Sequence, residues 1–269
     1  MALNWLADAT GFFRLAAKAE DLDATRHAKK PKPMKMARFQ EALNPLTDVP
    51  AFHVQNYAMP LLKGDSNAKA NVPYVRAIFP YKAFGLRNLM RISLPTASYV
   101  STGQSTATGI GNLDLFSIPL FGSGPTKAGV GPWLVVPSST SPDLGLQRWQ
   151  LGAKAVVSKP YRWGLLAGLA GYRQAIDGKE KAIVVEPIIY RRLGKSNYYI
   201  RSTAVSVINL SSSKAVVPIG LGLGKVTHLR DGNLLNVYIE PQASVLAVGD
   251  LVPQFQIYAG FNLQFMKRH

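Results

Sequence analysis

From about residue 52 onward the chain alternates apolar and polar positions with a period of two, and turn-forming residues interrupt the alternation at regular intervals. The last two segments are the clearest. Between Asn236 and Val245, one face carries Asn236, Tyr238, Glu240, Gln242 and Ser244, and the other Val237, Ile239, Pro241, Ala243 and Val245. Between Phe255 and Phe265, Gln256, Tyr258, Gly260, Asn262 and Gln264 oppose Phe255, Ile257, Ala259, Phe261, Leu263 and Phe265. A period of two with one wholly apolar face predicts a strand whose two sides meet different solvents. Less regular alternation at 52–62, 72–82, 87–98, 112–122, 128–138, 148–158, 161–176, 180–192, 199–210 and 215–225 brings the predicted strands to twelve.

These strands predict an all-β fold, an antiparallel transmembrane β-barrel over 46–269. A soluble sandwich also alternates, but its polar face meets bulk water and is rich in Lys, Glu and Asp. Here that face often carries Gly, Tyr, Asn, Gln, Ser and isolated charges, which suits a narrow wet interior. The apolar face is almost free of charge in mid-strand, where a basic residue in hydrocarbon would cost about 2–4 kcal/mol. The predicted connections alternate in length. Ala83–Leu86, Gly122–Lys127, Pro160–Arg162, Leu193–Asn197 and Leu229–Asn233 are tight, and Lys63–Asn71, Ala97–Gly111, Ser138–Gln147 and Ala247–Gln254 are longer. A turn centred on Arg230–Gly232 sets Gly220, Gly222 and Gly224 opposite Gln242, Glu240 and Tyr238, so large inward residues lie over glycines. Trp133, Trp149, Trp163, Tyr81 and Tyr161 are read as an interfacial girdle, and Pro119, Pro187, Pro218 and Pro241 as sites of bulges.

The first 45 residues differ in kind. Trp5, Ala9, Phe12, Ala16 and Ala19 share one stripe of a short amphipathic helix, and a linker rich in Pro and Lys follows, with Pro31 and Pro33 excluding a regular basic helix over Lys29–Arg38. Residues 1–45 are expected to act as a plug or a periplasmic cap. Met1–Ala7 lacks a basic n-region and Asp8 and Arg14 interrupt any apolar run, so either the chain is not exported or, as the barrel implies, the expected species is a mature form without its signal peptide.

Charge changes the picture less than its size suggests. Lys and Arg outnumber Asp and Glu by 31 to 15, but the excess is spread through 51–269 instead of forming a basic tail, which argues against nucleic acid as a partner. The absence of Cys excludes disulfides, thiolate metal sites and a cysteine nucleophile. His27, His53, His228 and His269 stand at no metal-ligand spacing from one another or from a carboxylate, and no helix follows the GxGxG of 220–224. Neither a metal, a cofactor nor an enzymatic activity is expected.

The segments IGNLDLFSIPLF (110–121), GVGPWLVVPSST (129–140), RWQLGAKAVV (148–157), VVEPIIYRRL (184–193) and VPIGLGLGKV (217–226) occur in this order. Together they resemble the bacterial outer-membrane family associated with the phenol meta-cleavage pathway. Gly111 and Asp114 fall on its first motif with altered spacing. Gly129, Gly131, Pro132 and Pro137 fall on the second, Trp149, Gln150, Leu151 and Gly152 on the third, and Pro218, Gly220, Gly222, Gly224 and Lys225 on the last. The resemblance implies an outer-membrane barrel moving hydrophobic or aromatic compounds. This chain departs from it where relatives tend to place acidic inward residues and Arg201, Thr203 and Val205 stand instead.

Parity points Arg76, Lys82, Arg91, Asp114, Arg148, Lys154, Glu186, Arg201, Tyr238, Glu240 and Gln242 into the lumen, either as its solute path, with basic residues in excess, or as paired ladders filling a closed interior, with Glu186 and Arg201 as partners across a hairpin. The function expected is a passive outer-membrane channel or porter for small anionic or aromatic solutes, in contact with outer-membrane lipids and lipopolysaccharide. The alternatives are a structural outer-membrane barrel without a conducted solute and a soluble all-β binding protein.

Overall fold

The structure is a computed structural model that describes residues 34–122 and 124–266. The helix expected near residues 4–19 lies outside the described residues.

Sixteen strands compose twelve staves of one closed antiparallel barrel. Eight staves are single strands: β1 (Ala51–Leu62), β2 (Lys69–Ala83), β7 (Lys127–Val136), β8 (Gln150–Tyr161), β9 (Gly164–Ala175), β10 (Lys181–Arg192), β15 (Leu234–Val248) and β16 (Pro253–Gln264). Four are broken in two: β3 (Leu86–Pro95) continues as β4 (Ser98–Ser101), β5 (Thr106–Gly109) as β6 (Leu113–Phe121), β11 (Tyr198–Ser202) as β12 (Ser206–Asn209), and β13 (Lys214–Gly220) as β14 (Gly222–His228). Pairing of β1 with both β16 and β2 closes the ring, and only β5, at the far end, keeps a single strand partner. The twelve predicted strands coincide with these staves. The expected alternation of loop length does not survive, because β4 and β5 carry the wall into Ala97–Gly111 and β15 runs to Val248. The only long connection among the described residues, 137–149, lies at the end of the barrel away from the termini, here the far end.

The alternation resolves into two faces. Ile219, Leu221, Leu223, Val237 and Ile239 point outward and are more than half or nearly half exposed, whereas Asn236, Tyr238, Glu240 and Gln242 point inward and are buried. The protein is thus apolar outside and polar within over much of its wall. Three outward basic residues of the strands, Lys159, Arg191 and Lys225, lie near the terminal end, Lys159 beside Tyr161 and Lys225 beside Tyr198, and Lys69 and Lys181 stand at the far end. Of the predicted girdle, Tyr81, Trp149 and Trp163 are exposed and Tyr161 stacks on Trp163, but Trp133 points into the lumen and is buried.

Prolines interrupt the ladder in only some places. Pro218 coincides with a register shift between β13 and β15, and the β6–β7 pairing lapses around Pro119. Pro241 keeps its pairing with β16 and Pro187 its pairing with β9, while the other neighbour of each is a gap, between β13 and β14 and between β11 and β12 respectively. A missing N–H is harmless where no partner strand waits for it.

The interior of the terminal half is a hydrophobic core. Helix α1 (Met36–Leu43) follows Pro33 and stops before Pro45, and its Phe39, Ala42 and Leu43 turn towards the wall. They join Met34 and Leu46 against Ile78, Leu89, Phe116, Ile118, Leu120, Leu165, Ile188, Tyr190, Tyr199, Val226 and Leu234. Each large apolar side chain fully buried there contributes about 1.5–3 kcal/mol.

Glycine decides how closely the wall can be packed. Gly220 faces Gln242 and Gly224 faces Tyr238, in the register expected from the sequence. A Cβ on Gly224 would overlap the ring of Tyr199, whereas one on outward Gly168 would meet only a carbonyl oxygen at 3.9 Å. Gly224→Val should therefore destabilise the barrel by about 1–3 kcal/mol through overpacking, and Gly168→Ala should be close to neutral. The midpoint of urea unfolding measures both; equal midpoints would contradict the inward packing of Tyr199.

Candidate functional site

The lumen has three levels. The lowest is the apolar core sealed by α1. The seal is tied to the wall by polar contacts at the terminal turns. Gln40 Nε2 donates to the carbonyls of Tyr161 (2.6 Å) and Gly164 (3.0 Å), Gln264 Nε2 to that of Glu41 (2.9 Å) and Arg192 Nη2 to that of Met34 (2.7 Å). Asp48 pairs with Lys127 (2.9 Å) and with Arg87.

Above it lies a buried polar network centred on Glu240. Arg201 Nε donates to Glu240 Oε2 (2.7 Å), and the Thr203 N–H donates to Glu240 Oε1 (2.8 Å). The Thr203 hydroxyl donates to Oε2 (2.8 Å), Gln242 Nε2 to Oε1 (2.9 Å), and Gln256 Nε2 to Gln242 Oε1 (2.6 Å). The Arg201 guanidinium carbon lies 3.6 Å from the Tyr238 ring centre, and Tyr238 donates to Tyr258, which stacks on Tyr57 at 4.4 Å. The network explains the break between β11 and β12. Residues 203–205 leave the ladder, and the carboxylate accepts the backbone N–H that the break frees. Glu240 therefore pairs with Arg201, and the expected Glu186–Arg201 pair is not formed: β10–β11 pairing sets Tyr190, not Glu186, opposite Arg201.

The third level is a vestibule of about 760 Å³ open at the far end and roofed partly by Pro142–Leu146. Its lining holds Arg76, Arg91, Lys154, Arg173, Lys181 and Lys214 against Asp114, Asp143, Glu180 and Glu186. Neighbouring staves set these side chains in two rows. Arg76, Ser93 and Asp114 stand directly opposite one another on β2, β3 and β6. In the adjacent row, Arg91, Phe116, Trp133, Gly152 and Arg173 follow one another across five staves. Trp133 Nε1 donates to Asp114 Oδ2, Lys154 Nζ lies 3.5 Å from Asp114 Oδ1 and 3.7 Å from the Trp133 ring centre. Gly171 makes room for this cluster, since a Cβ there would press on Lys154 and Trp133.

The eleven residues singled out from the sequence thus separate by depth. Arg76, Arg91, Asp114, Lys154 and Glu186 line the vestibule. Arg201, Tyr238, Glu240 and Gln242 lie in the buried network. Lys82 is exposed near the terminal rim and Arg148 stands at the far rim, paired with Asp177, so neither lines the vestibule. Arg173 belongs with the vestibule and was not singled out, although Tyr172 exposed and Arg173 inward follow the same alternation. No cluster of His, Cys, Asp and Glu able to hold a metal occurs among the described residues.

Arg201→Met would leave the Glu240 carboxylate buried without its countercharge, a loss of about 3–5 kcal/mol. Adding Glu240→Gln removes that charge and keeps an acceptor for the Thr203 N–H, so the double variant should regain most of the loss. Unfolding midpoints of the wild type and the two variants measure this; a double variant no better than the single would mean that the pair is not electrostatically coupled.

No protein-family model matches the chain, and no curated protein matches it in sequence. Among solved structures, it is similar in fold to the crystal structure of the COG4313 outer membrane channel from Pseudomonas putida F1. The TM-score is 0.60 at 13% identity, over 81% of this chain and 94% of that one.

Proposed function

We propose that this protein is an outer-membrane β-barrel that passes small anionic or aromatic solutes inward from its far end. The observation that carries the reading is the inversion of the wall: residues such as Ile219 and Ile239, 60% and 53% exposed, face out while Glu240 is fully enclosed. Water around that exterior would leave a continuous apolar patch far larger than soluble monomers expose. Hydrocarbon removes the difficulty, and a closed barrel is the only β-structure that satisfies its backbone there. The fold shared with an outer membrane channel and the motifs resembling the phenol meta-cleavage family agree with this reading.

Orientation follows from the outer-membrane habit of placing both termini and the shorter turns in the periplasm. The vestibule then faces outside, and Lys69, Lys179, Lys181 and Lys214 at its rim face the acidic groups of lipopolysaccharide. At the other end, Lys159, Arg191 and Lys225 with Tyr161, Trp163 and Tyr198 fit the phosphate level of the inner leaflet. A net basic lining concentrates anions and disfavours cations. Passage requires the α1 segment to leave the terminal half of the lumen. A barrel without a conducted solute is the second reading, and the filled terminal half favours it.

Three measurements test the proposal. Ile239→Arg, which a water-exposed site would tolerate, should cost about 2–4 kcal/mol and reduce assembly into lipid vesicles. In planar bilayers, the full chain should give small anion-selective steps, enlarged by Gln40→Ala combined with Asp48→Ala, which loosen the seal. Selectivity should weaken near 1 M salt, where screening shortens to about 3 Å. Absence of steps in both proteins would remove the channel and leave the structural barrel; normal assembly of the Ile239 variant would remove the membrane.

A further inference from the structure

The basic residues of the vestibule are not equivalent. Lys154 has Asp114 as its partner. Arg76, Arg91 and Arg173 have no carboxylate within ion-pair distance, their side chains donate no hydrogen bond among the described residues, and the Nε atoms of all three are buried without an acceptor. Each is placed instead over an aromatic ring. The guanidinium carbon of Arg76 lies 5.0 Å from the Tyr74 ring centre, that of Arg91 4.5 Å from Phe116, and that of Arg173 5.0 Å from Trp133. A cation–π contact holds the charge but consumes none of the N–H donors, and Arg cannot shed its proton to escape burial. The hydroxyl of Ser93, directly opposite Arg76 and Asp114, is also buried without a partner.

Three held guanidiniums with unspent donors are an arrangement prepared for acceptor oxygens. One donor of each, the Nε–H, is buried without an acceptor, whereas the Nη groups are not enclosed, so they meet the vestibule and remain free to grip an anion. Valence follows from the local charge. Arg76, Arg91, Arg173 and Lys154 face Asp114 and Glu186 around the floor of the vestibule, a surplus of two positive charges. Trp133 cannot serve as a stacking platform for an aromatic ligand, because Lys154 and Arg173 already lie over its ring.

We propose that the vestibule floor, formed by Arg76, Arg91, Arg173 and Ser93, is a saturable binding site for a small doubly charged oxyanion, a phosphate or a dicarboxylate. The site deepens the passage proposed above, and rests on it for access from outside. It also makes a narrower claim, that two charges on one small solute are recognised together. Glu186, which lines the same cavity without an ion pair among the described residues, opposes binding and excludes more highly charged species.

Calorimetric titration of the full chain in detergent micelles, at constant ionic strength, tests the site without requiring conduction. The probes are inorganic phosphate at pH 8, succinate, benzoate and chloride. Phosphate and succinate should bind with one-to-one stoichiometry and compete with each other, and benzoate and chloride should bind at least about tenfold more weakly. Arg76→Gln, Arg91→Gln and Arg173→Gln should each weaken phosphate about tenfold or more, and Glu186→Gln should strengthen it. Should any arginine variant fail to fold, the competition and the valence preference in the wild type still decide. Benzoate binding as well as succinate, no saturable heat with any probe, or unchanged phosphate affinity in folded arginine variants would overturn the site. Anion steps in bilayers without saturable binding would sink the site and spare the passage; saturable binding without steps would do the reverse.

Discussion

Closing twelve staves on themselves leaves no strand but the short β5 with an unpaired side, and creates an interior that the same chain has to fill. A barrel of this size is narrower than an aqueous porin and wider than one layer of small side chains can occupy. Every inward residue is chosen under that constraint. Where the wall contributes large residues, its neighbour contributes glycine, as Tyr238 beside Gly224 and Tyr199 over Gly224 illustrate. Where the wall contributes only medium apolar residues, the chain supplies α1 and its flanks to complete the core. Where neither happens, a cavity remains, and charged residues line it.

The buried Arg201–Glu240 pair is the constraint's local answer at the weakest part of the wall. A buried ion pair is a poor source of stability on its own, because desolvation offsets the attraction. Here the carboxylate also accepts from a backbone N–H, a hydroxyl and an amide, and the guanidinium lies over Tyr238. Those bonds satisfy groups that the β11–β12 break would otherwise strand inside the barrel. Hydrophobic residues of equal volume could fill the space but could not accept the Thr203 N–H. The geometry ties the charged pair to the irregular backbone, and Pro187 on the neighbouring stave faces the same gap without needing a donor.

The wall was legible in the sequence because a period of two is imposed residue by residue, and the apolar outer face tolerates few exceptions. All twelve staves and the glycine register of 220–224 follow from it. Depth along the lumen was not legible. Parity gives the face of Lys82 and Arg148 but not that they stand at the rims, and it cannot separate the sealed level of Glu240 from the open level of Asp114. Trp133 was assigned to the girdle because strand-end aromatics and lumen aromatics have the same composition; its bond to Asp114 depends on pairing between β6 and β7. Arg201 lies closer to Glu186 than to Glu240 in sequence, and only the order of staves brings Glu240 beside it. Helix α1 is not legible in the sequence because eight residues beside a Pro- and Lys-rich stretch give two turns of periodicity at most.

The seal and the vestibule differ in what holds them, and that difference sets what can move. Gln40, Gln264 and Arg192 bond to backbone carbonyls near the terminal rim, where water can replace a protein donor, so each such bond contributes only about 0.5–1.5 kcal/mol net. Met34, Phe39, Leu43 and Leu46 are buried in the core, and exposing each costs about 1.5–3 kcal/mol. The apolar face therefore dominates the cost of displacing α1, and the polar contacts fix where the segment sits. Arg76, Arg91 and Arg173, by contrast, are carried on the wall strands β2, β3 and β9 and braced by aromatic rings, so displacement of α1 leaves their framework in place. The arginines of the far half are held by their covalent position in the wall, while the terminal half is closed by a segment that, among the described residues, continues covalently into the wall only at Ala51.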